Sequence, residues 1–389
     1  MRICYICPDP GVPVLGRKGC STHVRETCHA LEQAGHQVLL LCANKGQDPQ
    51  LRTNFHIVEV PPMRSKLMGY DLRLLQYNFR LGRAAERVVK KFKPDAVYER
   101  FSLYSWVGTR LHQRRNLPHI LEINAFMTVE QEAKIHFLPL ARLVERYVVR
   151  HSKAVICVSE PLKQTIMKLG LGPERITKMP MGVDVHHFSP ELTGKEVREK
   201  WGLGDKFVVG YIGTLTGWHG VNLLYKACEQ IIKDGTDVIF FVVGGDRKKV
   251  ELHKKKAQRL SMASRFVFTG SIPYYEVPDY MAAIDIALIP NTTPWSSPTK
   301  MFEYQASGRA IVAPRYPAIL ESMDHEKDGL LFDPEDVRTM VRNIQRLHAD
   351  GELRARLGAA SRRRVCRTHS WESNVSNILR LFRQMGANG

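Results

Sequence analysis

Two apolar runs near the start of the chain, Arg2–Cys7 and His36–Cys42, bracket a stretch with helical spacing, and that pairing restricts the fold more than any other feature. Gly11, Gly16 and Gly19 punctuate the loop after the first run. Ser21 or Thr22 can then cap a helix that carries Val24, Cys28 and Leu31 and ends near Gly35. Strand, glycine loop, helix and strand make a βαβ unit, whose right-handed crossover builds a parallel sheet. The rhythm continues with strands near Phe55–Val60, Ala96–Tyr98, His119–Ile123 and Ala154–Val158, and the longest intervening helix runs from about Thr128 to Arg150. It breaks at Pro180–Pro190 and the charged segment Glu191–Lys206. It then restarts with strand Phe207–Ile212, helix His219–Ile232 and strand Val238–Val243, followed by strands near Phe266–Thr269, Asp285–Ile289 and Ala310–Ala313. The expectation is an α/β chain of two doubly wound, Rossmann-like domains, residues 1–188 and 189–370, finishing in a helical segment, residues 371–389. Such domains bind ligands at the carboxyl ends of their strands, here facing one another across a cleft.

Composition narrows the class. At 389 residues, with 44% hydrophobic and 25% charged side chains, the chain suits a soluble globular protein. No stretch approaches the roughly 20 apolar residues needed to span a bilayer, and the opening Met1–Pro8 has no secretory pattern. A cytoplasmic location is expected. Of the eight cysteines, Cys4, Cys7, Cys42 and Cys157 fall in apolar runs and Cys28 and Cys228 in helical patterns, which suits reduced, buried thiols. The Cys4-x-x-Cys7 spacing suits zinc or redox chemistry, but it sits within a strand and no second pair follows.

A formal charge of +18 implies an anionic partner. Residues 1–190 carry 28 basic against 16 acidic side chains, densest between Arg64 and Lys93. Leu72, Leu75 and Phe79 follow helical spacing there, so their face is expected to pack on a sheet. The opposite, basic face is left to solvent or to an anionic membrane surface. A nucleic-acid binder fits the charge alone. No zinc pattern, aromatic nucleic-acid signature or compact helix-turn-helix supports it.

One short helix offers chemistry. In Trp295–Gly308, Ser297 suits an N-cap, Pro298 the first helical position, Thr299 and Lys300 the first turn, and Gly308 the C′ stop. A helix N-terminus is a seat for phosphate, and a cation in its first turn is disfavoured unless an anion is bound there. Glu303 lies three residues on, on the same face as Lys300. A cation and a carboxylate so placed can hold a phosphate and a sugar hydroxyl together, and an ordinary capped helix with a surface Lys–Glu pair fits the same residues.

The chain resembles the family-4 retaining glycosyltransferases of the GT-B architecture, through phrases in the family's order over more than 300 residues. These are Gly19-x-x-x-His23-Val24, Gly35-His36-Gln37-Val38, Cys157-Val-Ser-Glu160, Pro180-x-Gly-Val-Asp184, Val209-Gly-Tyr-Ile-Gly213, Phe268-Thr-Gly270-Ser-Ile-Pro273 and Ala283-Ile-Asp285-Ile-Ala-Leu-Ile-Pro290. The resemblance implies an acceptor-binding first domain, a nucleotide-sugar-binding second domain, and a C-terminal helix returning to the first. It implies that Glu303 holds the ribose hydroxyls, and that Ser297, Pro298, Thr299 and Lys300 cradle the diphosphate. Gly19 would approach the diphosphate or sugar, and Gly270 would help frame the base. No metal or other cofactor is expected, and no Asp-x-Asp signature argues otherwise.

Departures from the family pattern are equally specific. The family's first glutamate, eight positions before Glu303, is Trp295 here, so the usual donor-sugar contact is replaced. The Arg and Lys that commonly neutralise the diphosphate are Thr214 and, approximately, His219, leaving Lys300 and the helix dipole to supply charge. The histidine expected after the fifth strand is replaced by Asn124 in Leu121-Glu122-Ile-Asn124. Asn124 can donate or accept a hydrogen bond, and Glu122 can orient an acceptor hydroxyl. By alternation the two share a face, so a structural role for both also stands. The expected function is transfer of a sugar, with retention, from a nucleotide-diphosphate sugar to an acceptor hydroxyl on a lipid-linked or cell-envelope glycan, peripheral to the membrane. The alternatives are a catalytically altered relative, a nucleotide-sugar epimerase, and the nucleic-acid binder.

Overall fold

The computed structural model describes residues 1–48, 50–63 and 69–387. The chain divides into two compact units, Met1–Pro180 with Trp371–Gly389, and Met181–Ser370. The first unit contains β1 (Arg2–Cys7), α1 (Gly19–Gln33), β2 (Gln37–Cys42), β3 (His56–Glu59), α2 (Tyr70–Phe92), β4 (Ala96–Arg100) and α3 (Val107–Arg115). It continues with β5 (His119–Ile123), α4 (Met127–Glu130), α5 (Leu138–His151), β6 (Ala154–Cys157), α6 (Glu160–Lys168) and β7 (Ile176–Lys178). The second contains α7 (Lys195–Lys200), β8 (Phe207–Ile212), α8 (Val221–Lys233), β9 (Val238–Val243), α9 (Arg247–Arg259), β10 (Phe266–Gly270), α10 (Val277–Ala282) and β11 (Ile286–Leu288). It ends with α11 (Thr299–Ala306), β12 (Ala310–Pro314), α12 (Pro317–Leu320), β13 (Leu330–Phe332), α13 (Val337–Ala349) and α14 (Gly351–Thr368). The last helix, α15 (Trp371–Gln384), belongs to the first unit.

Both sheets are parallel. Their orders are β3-β2-β1-β4-β5-β6-β7 and β10-β9-β8-β11-β12-β13. The order reverses between β1 and β4 in one sheet and between β8 and β11 in the other. A crevice opens at such a switch point because the loops on either side leave in opposite directions. The central strands are buried on both faces, as continuous apolar runs such as Val238–Val243 require.

Several expectations are corrected. The unit boundary falls at Pro180/Met181 rather than at 188/189, because Val183 bridges to Ser370 and Phe188 is fully buried against Tyr274 in the second unit. The helix expected over Thr128–Arg150 is broken into α4, a 3₁₀ turn at Glu132–Lys134, and α5. Buried Asp71 causes the break by accepting from the backbone N–H groups of His136 and Phe137 at 2.9 and 3.4 Å, and from Tyr104 Oη at 2.5 Å. On α2 the buried face is Leu74, Tyr77, Leu81 and Ala85, packed under β1 and β2. Leu72 and Phe79 are exposed instead. Two apolar stripes of helical period lie on this helix, and only packing chooses between them. Arg64–Met68 of the basic segment lie outside the described residues.

Helix α11 is positioned from both ends. The backbone N–H of Ile212, at the end of β8, donates to Tyr304 Oη at 2.7 Å. Gly308, at φ +64°, closes a Schellman turn in which Gly308 N–H reaches Gln305 O and Arg309 N–H reaches Tyr304 O. Arg362 of α14 caps the carbonyl of Ala306 and also donates to Phe188 O at 2.6 Å. Gly358 brings α14 directly onto the carbonyl of Gly308, where a Cβ has no room. Gly358→Ala therefore overpacks this contact and lowers stability by about 2 kcal/mol, read as a reduced Tm of the second unit. A parallel Ala360→Ser control should leave Tm nearly unchanged.

Candidate functional site

In the second unit the candidate residues gather at the carboxyl ends of β8 and β11, the switch point. α11 begins at Thr299, with Pro298 in the capping position and no side-chain cap. Ser297 is thus not the N-cap. Its Oγ accepts instead from the backbone N–H of Met181 at 3.5 Å, so it ties down the start of this unit. Lys300, in the first turn, turns back under the end of β8. Its Nζ lies 4.4 Å from the centre of the Tyr211 ring and 2.5 Å from where a side chain on Gly213 would begin. Gly213, at φ +151°, is crossed in turn by Gly244, at φ +117°, which leaves no room for a Cβ beside the Gly213 carbonyl. The Gly213 backbone and an aromatic face thus flank one ammonium.

That ammonium is buried and has no hydrogen-bond partner among the described residues. Burial pushes the Lys300 pKa down to about 7, against the opposing pull of Glu303. Glu303 is itself buried, with Tyr274 Oη 3.5 Å from its carboxylate. An uncompensated buried cation costs several kcal/mol, so this arrangement is suited to an anion that supplies the missing charge. The hydroxyls of Thr292 and Thr293, on the loop leading to α11, are also buried without partners.

Thr214 and His219 lie on the loop after β8. Thr214 contributes its carbonyl to Tyr211 Oη at 2.7 Å. The His219 ring packs against Trp218 at a tilt of 33°, with centroids 3.6 Å apart. Burial, with the charges of Lys300 and Lys249, drives its pKa to about 2, so it is a neutral imidazole and adds no positive charge. Gly270, at φ +79°, accepts from Gly244 N–H at 2.9 Å and shapes the end of β10.

In the first unit, Gly19 opens α1 on the surface. Glu122 lies deep at the end of β5, and its carboxylate is already engaged. His23 Nε2 contacts Oε1, Tyr5 Oη donates to Oε2 at 3.3 Å, and Arg100 Nη1 lies 3.9 Å away on the neighbouring strand. The chain's own groups thus occupy both oxygens of the Glu122 carboxylate. Burial raises its pKa, but the charge and hydrogen bond of His23, then Arg100, outweigh it, and the net value lies below the ordinary 4.5. Asn124 also helps to lower it, although neither of its amide atoms completes a hydrogen bond of good geometry among the described residues. Asn124 is the residue of the pair left with free donors and acceptors.

Sequence reasoning missed His23 as Glu122's partner, and missed Arg100, Tyr211 and the Gly213–Gly244 crossing. The position of His23, four residues after Gly19, was visible, but its partner lies on a strand ninety-nine residues away. A further surface was also missed. Two adjoining hollows of about 250 and 590 Å³ share Trp106, Arg110 and Arg114, beside exposed Phe79, Leu143 and Tyr147. Among the described residues no three His, Cys, Asp or Glu side chains come together as a metal-ligand set, and no helix is long and apolar enough to cross a membrane.

Because the folded pKa of Glu122 is depressed, its contribution to stability is full above the unfolded value of 4.5 and is lost as pH falls through the folded value. Glu122→Gln leaves Arg100 without its carboxylate and should cost about 3 kcal/mol near neutral pH. Tm measured against pH should show the two proteins well separated above pH 5 and converging in acid.

With this geometry in view, comparison with known proteins is specific. Residues 17–187 match the model of the Glycosyltransferase Family 4, and residues 206–350 match that of the Glycosyl transferases group 1. A GDP-mannose-dependent alpha-(1-6)-phosphatidylinositol monomannoside mannosyltransferase of Mycolicibacterium smegmatis is 27% identical, over 63% of this chain and 66% of that protein. An uncharacterised glycosyltransferase of Methanocaldococcus jannaschii is 22% identical over 98% of both chains. Among solved structures, sucrose-phosphate synthase from Thermosynechococcus elongatus superimposes with a TM-score of 0.82, at 20% identity, over 100% of this chain and 99% of that one. HepE of Anabaena, in complex with UDP and glucose, gives a TM-score of 0.78 at 16% identity over 98% and 99%. These matches, with two parallel sheets of the same kind, show that the chain belongs to the family-4, group 1 glycosyltransferases of the GT-B architecture.

Proposed function

We propose that the protein transfers a sugar, with retention of anomeric configuration, from a nucleotide-diphosphate sugar to an acceptor hydroxyl on a lipid-linked or cell-envelope glycan. The observation that carries this reading is the buried Lys300 ammonium, without a hydrogen-bond partner among the described residues, at the glycine-lined end of β8. A diphosphate at the start of α11 meets both that charge and the helix dipole. Glu303, three residues on, is the acceptor for ribose hydroxyls. The named ligands of two similar proteins, GDP-mannose in one and UDP in the other, support a nucleotide-sugar donor. The phosphatidylinositol mannoside in the first relative's name supports a lipid-linked acceptor.

In this mechanism the bond from the sugar's anomeric carbon to the diphosphate oxygen breaks, the acceptor hydroxyl bonds to that carbon from the face the diphosphate leaves, and the hydroxyl's proton passes to the departing diphosphate. The protein's contribution is to stabilise charge on the leaving group and to position the acceptor. Lys300 and the opening turn of α11 do the first. Asn124, held at the end of β5 above the Glu122 network, positions the acceptor or the transferred sugar. Trp295 stands where a glutamate commonly meets the donor sugar, so we assign the substitution to a changed sugar contact. The reading calls for no metal at the site. Chelator should leave donor binding unchanged.

Thermal shifts with UDP-, GDP-, ADP- and dTDP-sugars test the donor site. One nucleotide class should stabilise the wild type and lose most of that shift in Glu303→Ala, and an unchanged shift in the variant removes Glu303 from the site. NMR of the product anomer with the matched donor tests retention. Epimerised nucleotide sugar released without acceptor would support the epimerase instead.

The reading extends to an anionic membrane surface. Exposed Phe79, Leu143 and Tyr147 lie beside Arg110 and Arg114, an apolar and basic combination suited to anionic lipid. The protein should sediment with anionic vesicles and stay in the supernatant with neutral ones. Arg110→Glu with Arg114→Glu should abolish the difference, and equal recovery of wild type with both vesicle types would rule the surface out.

A further inference from the structure

A lysine ammonium taken out of water without an acceptor is far less stable than its neutral amine. Among the described residues none supplies a hydrogen-bond acceptor to Lys300 Nζ, which is buried between the Tyr211 ring and the Gly213 backbone. We infer that donor binding at this site is coupled to protonation on the alkaline side of neutrality: there Lys300 yields its proton to solvent in the free protein and regains one proton as the donor's diphosphate arrives. The inference rests on the reading of Lys300, Glu303 and α11 as the donor site. The balance is simple, a neutral amine plus one proton from the buffer giving an ammonium paired with the diphosphate, with no covalent bond formed or broken except N–H.

Every ionisable group facing Lys300 bears on this. From β8, Tyr211 has its pKa raised by burial and is neutral, and the same holds for Tyr304 on α11. From the loop after β8, His219 is held neutral, with a pKa of about 2. From α9, Lys249 adds positive charge near His219, which does not favour a second cation there. Burial outweighs the favourable charge of Glu303 on α11, so the Lys300 amine is pushed down to about 7. A nucleotide-sugar diphosphate brings negative charge that does not itself titrate in this range, so it returns the lysine to its ordinary, protonated state.

Below pH 7 the amine is protonated both free and bound, and donor affinity is flat. Above pH 7 the free amine is neutral, and each further pH unit lowers donor affinity about tenfold. The coupling gives the site a pH-sensitive hold on its donor without any additional regulatory element.

Isothermal titration calorimetry tests this with whichever of UDP-glucose, GDP-mannose, ADP-glucose or dTDP-glucose gives the largest thermal shift. Titrations in phosphate-free buffer pairs whose ionisation enthalpies differ, MES and Bis-Tris near pH 6 and HEPES and Tris towards pH 8.5, count the protons taken up. Wild type should take up almost none at pH 6 and close to one at pH 8.5, with Kd rising about tenfold per unit above 7. Lys300→Arg, which stays charged, should lose both the uptake and the slope. His219→Asn should keep both. Lys300→Met, close in volume but uncharged, should lose most of the pH 6 affinity. No uptake and flat affinity in wild type would overturn the coupling and leave the donor site standing. Uptake that persists in Lys300→Arg, or disappears in His219→Asn, would also overturn it by placing the proton elsewhere. Binding as tight as wild type in both Lys300 variants at every pH would overturn the donor-site reading itself.

Discussion

A parallel strand cannot be joined to its neighbour by a tight hairpin, and this constraint governs both halves of the molecule. Each connection must cross the sheet, usually as a helix, so both sheet faces are covered and the central strands become continuous apolar runs. The same constraint sends the strand-to-helix loops to one edge. It makes the reversal between β8 and β11, and that between β1 and β4, the places where loops diverge and backbone polar groups are left for a ligand. Lys300 stands at one reversal and the Glu122 network at the other.

The two places solve the problem of buried charge differently. Around Glu122 the chain supplies its own compensation. His23 on α1, Tyr5 on β1 and Arg100 on β4 converge on one carboxylate, so three elements are tied together and the charge is kept. Around Lys300 compensation is incomplete. Glu303 acts on it through space and Tyr211 offers only a ring face, so the cation sits at an energetic disadvantage that an arriving anion removes. A satisfied network suits rigid positioning, and an unsatisfied charge suits binding.

Much of the fold was legible because its signal is local. Strand runs such as Val238–Val243, the Gly308 stop and the βαβ alternation each depend on a few neighbouring residues. The misreadings arose where two local solutions competed. On α2, Leu72–Leu75–Phe79 and Leu74–Tyr77–Leu81 both have helical period, and the sheet beneath chose the second. At Thr128–Arg150 a helical pattern was interrupted by Asp71, a residue of another helix that captures two backbone N–H groups. At Ser297 a good capping residue was drawn off by the backbone of Met181.

The sequence by itself determined that this is a tandem α/β chain with a capped helix bearing Lys300 and Glu303, since periodicity, glycine placement and helix-end chemistry are written in adjacent residues. It also carried the phrases that mark the family. Tertiary structure alone decided that Lys300 is buried against Tyr211 without an acceptor among the described residues, that Glu122 belongs to His23 and Arg100, and that Phe79 faces outward beside Trp106. Burial and charge compensation are properties of groups brought together from distant parts of the chain, and the free energy of each depends on what its neighbours leave unpaired.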